Sequence, residues 1–304
     1  MIRRLLAAFL LFATAIAAAA PPEPLLWTAQ NGAGTVYLLG SFHLLRAEDY
    51  PLHPRVEVAY AEADRLVFEI DPAEMASPDL LAKIQTLAKF DDGRTLREVI
   101  SAENAEKLKA FMGGSEAAMA SSDAFKPWYV GMNLVVGMMT SFGLDPKRGL
   151  DQHLMQRAVA DGRPVGGLET ALQQMRALDG APLSEQEAML AEAFAPPAEM
   201  RRRVFAMHDL WRAGDAEGLL ALINEDMAEK TPQLYLRLNR DRNRAWLPQL
   251  MRLLEQRRTV LVVVGAMHLI GDDSLVSLLR EHGVQVERVD PEQALQLHAL
   301  PDAA

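Results

Sequence analysis

The segment that most constrains this chain is residues 259–264 (TVLVVV), a continuous apolar and β-branched run between the basic Arg257-Arg258 pair and Gly265. A run with no polar alternation has no face to show to water. It predicts a strand buried on both sides, as in a parallel sheet covered by helices. Such a strand needs neighbours. The most similar run is residues 35–39 (TVYLL), more than 200 positions upstream. Both ends of the chain therefore have to meet in one sheet.

The two runs leave the sheet in the same way, through Gly40-Ser41-Phe42-His43 and Gly265-Ala266-Met267-His268. Four other segments read as strands. Residues 25–28 precede Gln30-Asn31-Gly32-Ala33-Gly34, an Asn-Gly hairpin signal. Residues 65–70 (RLVFEI) stop at Asp71-Pro72, 164–168 (PVGGL) run into Glu169, and 284–289 close the pattern. Helical spacing covers 54–63, 78–89, 95–112, 122–141, 150–160, four stretches between Ala171 and Gln256, and 269–282, which Gly283 caps. The strand at 259, this last helix and the strand at 284 read as a βαβ unit. The fold class is α/β: a single mixed central sheet formed by the N- and C-terminal segments, flanked by helices, with a large helical insertion at about 77–256. No polar linker divides 20–304, so these residues read as one domain.

The first residues read differently. Arg3 and Arg4 precede an apolar run that ends in Ala17–Ala20 before Pro21-Pro22. A basic start, a short apolar core and small residues predict a secretory signal peptide over 1–19 and a periplasmic or secreted protein. The run is short for a span of about 20 residues, so an uncleaved membrane tether is the lesser alternative. The formal net charge is −10, and because the leader holds two arginines and no acid, the remainder carries −12. That excess argues against nucleic acid or an anionic membrane as partner. Without cysteine there is no thiolate nucleophile and no Cys-bound zinc. No phosphate loop or Gly-x-Ser-x-Gly elbow is present.

Four of these strands reach an ionisable residue where they stop: His43, Glu69, Glu169 and His268. If those strands are parallel neighbours, their carboxyl ends converge on the edge where open α/β sheets bind ligands. Two imidazoles and a carboxylate are a ligand set for a divalent ion such as Mn, Co or Zn. Such an ion lowers the pKa of bound water to about 7, and a carboxylate outside its shell can act as general base. His43, Glu69 and His268 are the candidate metal ligands, and Glu69 or Glu169 the candidate proton carrier. Glu169 has a second reading, support of the helix that begins at Ala171. Gly40 and Gly265 are read as turn glycines that permit positive φ or a close approach of backbone to ligand. A site at the sheet's edge predicts that His268→Ala removes activity at little cost in stability.

The ordered set YLLGSFHLL, LVFEID, RGLDQHL, VGGLET, RDRNRAW and VVVGAMHLIGDDSLVSLL resembles the TraB/PrgY/GumN family, its GumN-like bacterial branch above all. Members related to the animal Tiki proteins are described as divalent-metal-dependent proteases with two Gly-x-x-His motifs and a glutamate. Their fold is likened to that of erythromycin esterases. The resemblance implies His43, Glu69 and His268 as catalytic core, with Asp151, Arg242 and Asn243 as accessory substrate-pocket residues. Met267 and Ser274 stand where relatives often carry glycine.

The leading expectation is thus an exported metal-dependent hydrolase, a peptidase acting through metal-activated water on a peptide or small molecule. The alternatives are a non-catalytic peptide- or metal-binding protein, and an esterase-like hydrolase that uses His43 as base without metal. Asp151 on its own reads as a helix-terminal residue, the run containing Arg242 as a solvated face. His153, His208, His282 and His298 read as surface or core residues, and His53 as a reserve ligand. The methionines, Met132, Met138 and Met139 among them, read as core or as the pliable wall of a substrate groove.

Overall fold

The computed structural model describes residues 20–32 and 34–291; the leader read at 1–19 and His298 lie outside them. Six strands form one mixed sheet: β1 (Leu26–Gln30), β2 (Thr35–Ser41), β3 (Arg65–Ile70), β4 (Gly167–Glu169), β5 (Thr259–Gly265) and β6 (Gln285–Arg288), in the order β4-β3-β5-β2-β1-β6. The fold class is α/β, as read from the sequence. β5 lies parallel between β2 and β3, and residues 260–264 are buried with at most 1% exposure. β4 extends the parallel set beyond β3, while β1 runs antiparallel to both β2 and β6. The carboxyl ends of β4, β3, β5 and β2 therefore share one edge. In register, Ser41 lies opposite Gly265 and Ile70 opposite Glu169.

The hairpin forms at Asn31-Gly32, where Gly32 takes φ +73° and Gln30 pairs with Thr35. β6 runs parallel to β5, as a βαβ unit requires, but β2 and β1 lie between them. The helix expected over 269–282 is shorter than its spacing implied. Residues Ala266–Leu269 make a tight 3-10 turn, Gly271 takes φ +83°, and the helix runs Leu275–Glu281. Ser274 sets that start, its hydroxyl accepting the Ser277 amide at 3.1 Å. The stretch 95–112 likewise divides into Leu96–Val99 and Ala102–Phe111, because Ser101 caps the second helix through the Asn104 amide.

Helices cover the sheet with their apolar stripes. Leu150, Leu154 and Ala158 of Leu150–Ala160, spaced four apart, join the main core, as do Trp246, Leu247, Leu250, Leu253 and Leu254 of Asp241–Leu254. The insertion carries smaller apolar clusters of its own. There Pro127–Ser141 crosses Leu183–Glu192 at Gly131, where a Cβ would lie 3.0 Å from the Leu190 Cα. These insertion helices roof the carboxyl edge of the sheet. Among the described residues no helix is long and apolar enough to cross a membrane.

Candidate functional site

His43 stands two residues beyond β2, its side chain about half exposed, 54%. Its Nδ1 lies 3.1 Å from Asp151 Oδ1. Asp151 is brought there by the first turn of Leu150–Ala160, where the Leu150 amide donates to the Phe42 carbonyl at 3.1 Å. The approach needs Gly149, because a Cβ at that position would collide with the His43 carbonyl. The Asp151 charge dominates the titration of His43. It outweighs burial and, with Glu69, pushes the imidazole up to about 9.

Glu69 is 8% exposed. Its Oε1 accepts the Gly265 amide at 2.7 Å, and its Oε2 accepts Arg242 Nη2 at 2.6 Å and Gln174 Nε2 at 2.9 Å. Burial alone would raise its pKa. The Arg242 cation, protonated His43 and the Gly265 amide overturn that and hold the carboxyl well below the usual range.

His268 lies deeper, 2% exposed, in the turn after β5. Its Nδ1 meets Asn243 Oδ1 at 2.7 Å. Asn243 spends its amide protons on Asn239 Oδ1 and the Asp273 carbonyl, so its oxygen is the acceptor and His268 Nδ1 carries the proton. The other nitrogen, Nε2, accepts from Arg242 Nη1 at 3.1 Å. Burial, with Arg242 adding to it, lowers His268 to about 3, and the ring is neutral. Trp246 packs on it with centroids 4.6 Å apart.

Arg242 ties the set together. Nε and Nη2 donate to Glu169 Oε1 at 2.9 and 2.6 Å, Nη2 also to Glu69, and Nη1 to His268 and the Leu238 carbonyl at 3.0 Å. All five guanidinium protons are engaged within the protein. Glu169 accepts Trp246 Nε1 at 3.3 Å as well, and burial raises its pKa. The helix after Glu169 is capped instead by Thr170, which accepts the Gln173 amide.

The structure therefore brings His43, Glu69, Asp151, Glu169, Arg242, Asn243 and His268 into one network of two layers. His43, Asp151 and Glu69 line a cleft of about 540 Å³ at the sheet edge. His268, Asn243 and Glu169 lie behind Glu69 and off the cleft lining, as does Arg242, which is buried rather than on the solvated face its sequence setting implied. Gly40 and Gly265 do not take positive φ. They serve close approach: a Cβ on Gly265 would stand 3.3 Å from both His43 Nε2 and Glu69 Oε1, and one on Gly40 3.0 Å from the Leu25 Cβ. The other histidines have separate tasks. His53 caps Pro54–Glu62, and His208 is buried against Asp49 at 2.9 Å. Sequence reasoning missed Gln174, Trp246 and Gly149; only Gly149, a glycine directly ahead of a helix that begins Leu-Asp, carried a local signal.

The sequence model of the TraB/PrgY/gumN family matches residues 25–288. The chain belongs to the TraB/PrgY/gumN family. No curated protein matches it. The family match encloses both Gly-x-x-His motifs and every residue of the network. Family resemblance implied a divalent ion between His43, Glu69 and His268, and the donor set does not fit that ion. The lone pair of His268 Nε2 is taken by an Arg242 proton, and a permanent cation already neutralises Glu69. Among the described residues no three His, Asp or Glu side chains converge to hold a metal ion.

Proposed function

We propose that this chain is a hydrolase of a carbonyl compound, an ester or amide, in which His43 handles the proton. The observation that carries the reading is the His43–Asp151 pair, which opens on the cleft while the Arg242–His268–Glu169 assembly lies off its lining. Asp151 holds Nδ1, leaving Nε2 to face the reacting atoms. In its neutral form His43 takes a proton from water attacking the carbonyl; Asp151 stabilises the imidazolium, which returns the proton to the leaving group. Glu69 stays ionised beside it and helps orient that water. Arg242, His268, Asn243 and Glu169 act as positioning residues, because none lines the cleft. The leader read at 1–19 supports an exported enzyme.

The metal-dependent peptidase reading keeps one observation in its favour: His43 Nε2 and Glu69 Oε1 flank the same point above Gly265. One experiment separates the two. Purified protein is assayed on chromogenic esters and quenched peptides, as wild type and His43→Ala, with and without chelator. The proposal expects a loss of about 100-fold or more in the variant and no effect of chelator. Activity abolished by chelator and restored by Mn, Co or Zn would establish the metal reading. Absence of turnover on every substrate would leave a binding protein.

A further inference from the structure

Almost every buried polar group at this site has its partners, as the five engaged protons of Arg242 and both nitrogens of His268 show. Ser41 does not. It is 2% exposed, it lines the cleft, and its Oγ has no hydrogen-bond partner among the described residues. Buried hydroxyls are nearly always bonded, and one held unbonded beside an ionised site asks for a ligand. Ser41 is the last residue of β2 and lies opposite Gly265. Two residues back along both strands, Leu39 pairs with Val263, which together with Phe68 lines the same cleft. Ser41 thus points from a rigid strand end into the floor, next to His43.

The rest of the cleft has a different chemistry. Its walls carry Met75, Met132, Met155, Met175 and Met189, while Ser41, His43, Glu69 and Asp151 gather at the floor. Methionine walls adapt to irregular apolar shapes. Two carboxylates at the floor disfavour an anionic head group. Such a cleft accepts a neutral polar head on a long apolar body, and a volume of about 540 Å³ is of ligand size.

We propose that the cleft binds a neutral acyl compound with a long apolar chain, its carbonyl oxygen accepting a hydrogen bond from Ser41 Oγ and its chain lying along the methionine wall. The inference rests on the hydrolase reading only in that it makes this carbonyl the one His43 serves. Ser41 acts as donor rather than nucleophile, since its hydroxyl is not bonded to His43 or any other base.

The test uses ligands with a carbonyl and no scissile bond. Methyl ethyl ketone and methyl nonyl ketone are titrated by calorimetry into wild type, Ser41→Ala and Ser41→Thr, with p-nitrophenyl decanoate and acetate as parallel substrates. The expected result is tighter binding of the long ketone, about tenfold weaker binding in Ser41→Ala, recovery in Ser41→Thr, and no drop in melting temperature for Ser41→Ala. Equal affinity for both ketones in wild type overturns the inference without any variant, as does a Ser41→Ala protein that binds like wild type. Ketone binding without ester turnover would sink the hydrolase reading and leave this one standing. Turnover indifferent to chain length would do the reverse.

Discussion

Arg242 donates a hydrogen bond to Nε2 of His268, 3.1 Å away, and so leaves Nδ1 as the nitrogen that carries the proton of that buried ring. The same guanidinium bonds Glu69 and Glu169, both nearly sealed from solvent. One cation thus holds two carboxylates and an imidazole in fixed orientation behind the cleft.

Removing that cation strands buried charge. Arg242→Met is expected to cost about 3–5 kcal/mol, the range for breaking a buried ion pair from one side. Arg242→Lys keeps the charge but has three donors for five acceptor contacts, so it should fall between. Urea denaturation of the three proteins measures this. A methionine variant within 1 kcal/mol of wild type would mean that Arg242 does not balance a buried carboxylate charge.

His268→Ala should unsettle the fold as well as the site, contrary to what a sheet-edge position predicted. The ring is 2% exposed, bonded at both nitrogens and stacked on Trp246. Its loss leaves an Arg242 proton and the Asn243 oxygen unpaired, each worth about 1–3 kcal/mol. A total of roughly 2–6 kcal/mol is expected in thermal or chemical denaturation. His43→Ala, at the half-exposed front, should cost far less.

The contrast shows what the sequence could carry. Uninterrupted β-branched runs announce strands buried on both faces, so β2 and β5 were readable, and their matching Gly-x-x-His exits gave the expectation that their ends converge. Depth was not readable. His43 and His268 have the same local setting, and only the packing of Asp241–Leu254 across the sheet places one at the cleft and one behind it. Arg242 looked like part of a solvated basic run because its partners, Glu69 and Glu169, lie 173 and 73 positions away. Ser41 gave no signal, since an unbonded hydroxyl is a property of surroundings.

A second buried network makes acid stability testable apart from the site. Asp49 is fully buried and bonded to His208 Nε2, Arg212 and the Arg46 amide. Burial by itself would raise the Asp49 pKa, but those bonds prevail and bring it down to about 2. A depressed carboxylate stabilises the fold fully above its unfolded value of about 3.9 and loses that contribution as pH falls toward 2. Asp49→Asn should therefore lower stability by about 2–3 kcal/mol at pH 7 and flatten the acid limb between about pH 4 and 2. Acid titrations followed by circular dichroism give both numbers. An unchanged acid limb in the variant would count against the network.

Asp151 offers the sharpest test of how His43 works. If the neutral imidazole is the base, kcat/KM of wild type should climb with pH and level off near the His43 value of about 9. The Asp151 charge is the first cause of that high value, and burial opposes it. In Asp151→Asn the limb should move down toward the ordinary histidine range near 6.5, while the maximal rate falls because Nδ1 loses its anionic partner. A purely structural role for Asp151 lowers the rate without moving the limb. Water activated by a bound ion would titrate with that ion rather than with His43 and lose its activity to chelator. A variant whose limb stays at pH 9 would therefore show that the Asp151 charge does not set the titration of the base.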